Sequence, residues 1–70
     1  MKLHSIIFTS NKGYYPYCLN ASYKKCLKWI KENEGNFLFR IYKGGKVLIV
    51  DNEIASTIGG ESAIKYSKDI

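Results

Sequence analysis

The side chains in this 70-residue sequence that could supply a nucleophile and a base are His4, Cys18 and Cys26. A catalytic thiol needs a base beside it and a third group to orient that base. His4 is the only histidine, and no orienting residue stands at a recognisable spacing from it. Lone cysteines more often pack as small hydrophobes. Cys18 and Cys26 are eight apart, which is neither a redox Cys-x-x-Cys nor a zinc spacing. With one histidine, a tetrahedral metal site would have to borrow carboxylates. A disulfide between the two cysteines would be unusual in a cytosolic protein.

Other constellations are equally thin. Glu32 and Glu34 fall on different faces of a helix and do not form an acid–base pair. Gly44-Gly45 lacks the strand–loop–helix context of a phosphate loop. Gly59-Gly60 before a helix could offer N–H groups to an anion, but Glu61 would repel that anion and a plain turn is the simpler reading. The residues predict no catalytic, cofactor-binding or metal site, and hence a protein that is not an enzyme.

Contact chemistry is better represented. From Asn20 to Gly35 the sequence reads as an amphipathic helix. Tyr23, Cys26, Leu27 and Ile30 share one side; Lys24, Lys28 and Lys31 lie opposite, with Lys25 and Glu32 beside them and Trp29 at the seam. Asn20 or Ser22 can cap the start, and Gly35 can supply a left-handed residue at the end. The lysines would attract anions, and Trp29 would add flat apolar area or stack on a base. The plain alternative is a solvated face beside a half-buried tryptophan.

The elements around this helix follow from local pattern. Lys2 to Thr9 reads as a strand with His4, Ile6 and Phe8 facing the core. Ser10-Asn11-Lys12-Gly13 is a turn. Tyr14 to Leu19 returns as a strand that Pro16 confines to a sheet edge, or else forms a tyrosine-rich loop. Asn36–Lys43 and Lys46–Asp51 flank Gly44-Gly45 as a hairpin. Its register pairs Tyr42 with Val47 and Arg40 with Ile49. One hairpin face then carries Phe37, Phe39, Ile41, Leu48 and Val50 as core. The other carries Leu38, Arg40, Tyr42, Val47 and Ile49, a mix of apolar, aromatic and arginine side chains found at protein interfaces. It would serve a homodimer equally well, unless the C-terminal segment folds across it. Glu53–Ile58 is a short helix or strand, Gly59-Gly60 a break, and Glu61–Lys68 a short final helix. The expected fold is a single α+β domain over residues 1–70, a small antiparallel sheet on one main helix in the order β-β-α-β-β-α.

Charge narrows the partner. The net charge is +5. Residues 1–46 carry nine cations against two anions, net +7, and residues 47–70 carry two against four, net −2. That excludes a negatively charged DNA mimic and suits an acidic surface or polyanion. Ten of the eleven cations are lysine, which lacks the planar fork used in base-edge readout. Non-specific phosphate contact stays open. The run after Met1 is too short for a signal peptide and is broken by His4 and Ser5. No stretch has the length of a membrane span. A cytoplasmic location is expected. The apolar fraction of 46% is that of a folded protein.

These features predict a small binding protein that acts as inhibitor, adaptor or regulator on an acidic surface of a larger protein or ribonucleoprotein. Lys24, Lys25, Lys28, Trp29, Lys31, Arg40 and Tyr42 are the expected contacts. A lysine-, asparagine- and isoleucine-rich chain of this size would suit a phage or mobile-element accessory protein. The alternative is a non-specific nucleic-acid binder that uses the same lysine face.

Overall fold

His4, Ile6 and Phe8 alternate with Ser5, Ile7 and Thr9, and this period of two builds the first strand, β1 (His4–Ser10), around a buried His4, Ile6 and Phe8. The computed structural model describes the backbone of residues 2–57 and 60–70 and the side chains of residues 2–54 and 62–70. A tight turn at Asn11-Lys12 returns the chain as β2 (Gly13–Ala21). Gly13 takes a φ of 126°, a conformation that favours glycine. β2 is an outer strand, as Pro16 requires.

The main helix, α1 (Tyr23–Glu32), starts where Ser22 Oγ accepts from the Lys25 N–H at 3.3 Å. Ser22 is therefore the cap, and Asn20 is not. Asn20 instead sits in β2 with a left-handed φ of 51°, where β2 departs from regular pairing with β1 between His4 and Ile6. α1 buries Cys26 and Ile30. It stops at Asn33, whose N–H bonds Trp29 O at 3.0 Å and whose side-chain amide bonds the same carbonyl at 2.8 Å. Gly35 has no left-handed φ; Asn33 ends the helix through its own hydrogen bonds.

The expected hairpin across Gly44-Gly45 does not form. Its first arm is a short helix, α2 (Phe37–Ile41). Asn36 Oδ1 accepts from the Leu38 N–H at 2.9 Å and starts that helix. Helical spacing then turns Leu38, Phe39 and Tyr42 inward and leaves Phe37 and Ile41 63% and 51% exposed. Phe39 meets Phe8 edge to face at 5.0 Å. Packing against that ring outweighs the strand propensity of an aromatic-rich run. The mixed hairpin face does not exist, because Leu38, Val47 and Ile49 are buried.

The second arm is a strand, β3 (Lys46–Asp51), and it pairs with β1 from Thr9↔Lys46 to His4↔Asp51. Its core face is Val47 and Ile49 in place of Leu48. Gly44 has a φ of 91°. A Cβ on Gly45 would collide with the Thr9 carbonyl and lie 2.7 Å from Ser10 Cβ. The two glycines thus serve a crossing over the end of β1.

β3 leads into α3 (Asn52–Thr57). Asp51 Oδ1 accepts from the Glu53 and Ile54 N–H groups at 2.9 and 3.3 Å. The expected break at Gly59-Gly60 lies partly outside the described residues. A 3₁₀ turn over Gly60–Ala63 then precedes β4 (Ile64–Asp69), where a final helix was expected. With α2 helical, the far edge of β3 needs a partner, and β4 supplies it. The element order is therefore β-β-α-α-β-α-β. All pairings are antiparallel and the sheet order is β2-β1-β3-β4. This is a small α+β fold, as expected, although its central pair β1–β3 is long-range in sequence.

The register defines two sheet faces. Under α1 run the rows Tyr17–Ile6–Ile49–Tyr66 and Tyr15–Phe8–Val47–Lys68. The opposite face carries Pro16–Ile7–Leu48–Ser67 and Tyr14–Thr9–Lys46–Asp69. The core is the α1 side, with Ile6, Phe8, Cys26, Ile30, Leu38, Phe39, Val47 and Ile49. Full burial of each large apolar side chain is worth about 1.5–3 kcal/mol.

Candidate functional site

α1 lies across the sheet with its apolar stripe down, so its lysines stand up from the molecule. Lys24, Lys25, Lys28 and Lys31 are all exposed. Two cations of the sheet are paired: Lys46 with Asp69 at 3.8 Å and Lys68 with Glu34 at 3.1 Å. Lys2 lies 3.9 Å from Asp51. Among the described residues none of the four α1 lysines has an ion pair.

A cleft flanks α1 on each side. On the β2 side, a space of about 540 Å³ lies among Leu3, Leu19, Lys25, Lys28 and Trp29. On the β4 side, about 620 Å³ lies among Lys24, Leu27, Lys28, Lys31 and Tyr66. Lys28 borders both. Glu32 also borders both, and is the acidic side chain in them. Each cleft therefore has an apolar or aromatic floor and a cationic rim.

Trp29 is half-buried. Its ring lies 4.9 Å from Tyr17, 6.2 Å from Phe8 and 6.2 Å from Phe39. It wedges β2 against α2, and its remaining surface faces the Lys25–Lys28 cleft. Tyr42 is half-buried with its ring 5.9 Å from Phe8. Arg40 is exposed on α2 and, with Lys43, Phe39 and Ile70, lines a third cleft of about 320 Å³ beside the end of β4. The structure brings together the α1 lysines and Trp29. It separates Arg40 from Tyr42, which were expected on one hairpin face.

The cysteines are both free; Cys18 is exposed on β2 and Cys26 is in the core. Burial pushes the Cys26 thiol up from its ordinary pKa, which keeps it protonated and unreactive. The described residues hold no cluster of three or more His, Cys, Asp or Glu side chains that could bind a metal. No helix among them is long and apolar enough to cross a membrane.

One polar cluster was not foreseen. His4 and Asp51 are cross-strand partners, 8% and 1% exposed. Ser5 Oγ donates to Asn52 Oδ1 at 2.6 Å, and Asn52 Nδ2 donates to Asn20 Oδ1 at 2.9 Å. This chain of hydrogen bonds ties β1, α3 and the irregular part of β2. Burial raises the Asp51 pKa, but the Ile54 and Glu53 N–H groups, then Lys2 and His4, outweigh it, and the net shift is downward. His4 Nδ1 and Asp51 Oδ2 are buried without a hydrogen-bond partner among the described residues. An aspartate directly before a helix is a cap signal that could have marked Asp51 in the sequence.

Comparison with models of protein families, with curated proteins and with solved structures finds no match to this chain.

Proposed function

We propose that this protein is a small non-enzymatic docking protein, an inhibitor, adaptor or regulator, that holds an acidic surface of a larger protein or ribonucleoprotein against α1. The observation that carries this reading is the clustering of four exposed lysines on one helix. Lys2, Lys46 and Lys68 are paired within the chain, whereas Lys24, Lys25, Lys28 and Lys31 stand together without an ion pair among the described residues. Four like charges on one helix repel one another, and an acidic partner would relieve that repulsion. Clefts with aromatic floors on both sides give such a partner apolar area at the centre of a charged rim.

The nucleic-acid alternative uses the same lysines but wants free aromatic faces for base stacking. Trp29, the aromatic beside those lysines, packs its ring 4.9 Å from Tyr17, which leaves it less face for a base and favours the protein reading, although Tyr14 and Tyr15 are exposed on β2. Two titrations test the choice. Fluorescence titration with polyglutamate and gel retardation with an arbitrary oligonucleotide would be run at low salt. Tighter binding of polyglutamate, weakened by reversing Lys24, Lys28 and Lys31 to glutamate, is expected. Tighter, strongly salt-dependent binding of the oligonucleotide would transfer the lysine face to the alternative.

A further inference from the structure

Resting on that docking reading, we propose that the outer edge of β4 accepts an acidic, extended segment of the partner protein as a fifth strand. β4 ends the sheet on its side. The Ile70 N–H donates to Gly45 O at 3.0 Å, and Ile70 O accepts from the Gly44 N–H at 3.2 Å. Antiparallel alternation then directs the N–H and C=O groups of Ser67 and Asp69 away from β3. A row of main-chain donors and acceptors at a sheet edge is a template for another strand.

The other edge is guarded. β2 carries Pro16, an irregularity near Asn20 and a left-handed φ at that residue, all features that discourage pairing. β4 has no proline. Its irregularity lies between the partners of Ile49 and Val50, which leaves Tyr66–Asp69 as regular edge.

The surroundings set the chemistry of the incoming strand. Tyr66, Lys68 and Ile70 alternate toward the α1 side. Tyr66 opens on the cleft bordered by Lys24, Lys28 and Lys31, and Lys68 and Ile70 open on the one bordered by Arg40 and Lys43. Cations thus flank this edge along its length. The acids near it are Glu32, Glu34 on Lys68, and Asp69 on Lys46. A strand added beside β4 would place every second side chain in this cationic trough and the others beside Ser67, continuing the row Pro16–Ile7–Leu48–Ser67. An acidic residue at alternate positions matches the first set, and a small or apolar residue matches the second.

The test uses the intact protein labelled with ¹⁵N and a capped seven-residue peptide alternating Glu and Thr as probe. The expected result has three parts: saturable binding, slowed hydrogen exchange at the Ser67 and Asp69 amides, and affinity reduced about tenfold when the peptide amides facing β4 are N-methylated. Binding that perturbs α1 but is indifferent to N-methylation and leaves those amides unprotected overturns strand addition and keeps the lysine-face reading. Absence of binding by the peptide and by polyglutamate overturns both. A concentration-dependent dimer that protects the β4 amides without peptide, or an oligothymidylate that displaces the peptide from them, assigns the edge to another occupant and overturns the proposal.

Discussion

Trp29 of α1 lies 4.9 Å from Tyr17 of β2, ring centre to ring centre, with the planes tilted by 30°. Phe39 of α2 lies 6.2 Å from the same Trp29 ring. A single tryptophan therefore joins the main helix, an edge strand and the short second helix. The surface left over after that packing faces the cleft beside Lys25 and Lys28.

Truncating Trp29 to alanine removes all three ring contacts. Large-to-small changes of this kind cost about 3 kcal/mol, and urea denaturation should show a loss of that order. Trp29→Phe keeps part of the contacts and should lose less. If Trp29→Ala unfolds at the wild-type urea concentration, the wedge assigned to this residue is wrong.

Gly45 and Gly35 make a matched pair. A Cβ at Gly45 would strike the Thr9 carbonyl, whereas a Cβ at Gly35 meets no atom within 4 Å. Gly45→Ala should lower stability by about 1–3 kcal/mol. Gly35→Ala, which also restricts the unfolded chain, should be neutral or slightly stabilising. Melting temperatures of the two variants check this.

The hairpin expected across Gly44-Gly45 shows why part of the fold was not legible. Phe37-Leu38-Phe39-Arg40-Ile41-Tyr42 before Gly-Gly satisfies the local rules for a strand and tight turn. What decides it is a contact distant in sequence, Phe39 on Phe8, with Asn36 capping the resulting turn of helix. β1 and α1 were legible because their apolar residues recur at a clean period. The tyrosine-rich β2 read as an edge strand or a loop. The unbroken apolar run of β3 marked a strand but hid that Val47 and Ile49 face the core. β4 was not legible, because Ile64 and Tyr66 become a strand only once α2 leaves the far edge of β3 open. The same dependence hid the placing of Tyr66 beside the α1 lysines and of Lys68 beside Arg40, although the lysine stripe itself was plain in the sequence.

Thiol chemistry should separate the cysteines. Cys18 is exposed and Cys26 is fully buried with its pKa raised by burial. In the folded protein a disulfide reagent should modify Cys18 promptly and Cys26 only on unfolding. Cys18→Ser should abolish the fast phase without changing stability. Prompt modification of both would contradict the placement of Cys26.

Acid should unfold the protein partly through Asp51. Its pKa is lowered in the fold, so its contribution is present above the unfolded value of about 3.9 and is lost as pH falls through the lower folded value. Asp51→Asn, which can still cap α3, should flatten the fall of stability in that window. An unchanged pH profile for this variant would show that other carboxylates govern acid unfolding.

The central claim concerns position as well as charge, and one measurement addresses both. Wild type, Lys28→Glu, which alters the lysine bordering both clefts of α1, and a control Lys12→Glu in the β1–β2 turn carry tags for affinity capture from host lysate, with and without nuclease. The two variants have the same net charge. Recovery of one protein or ribonucleoprotein partner by wild type and by the control but not by the α1 variant is the predicted result. Equal recovery by the α1 variant, or capture of arbitrary nucleic acid with no specific protein, would contradict the account.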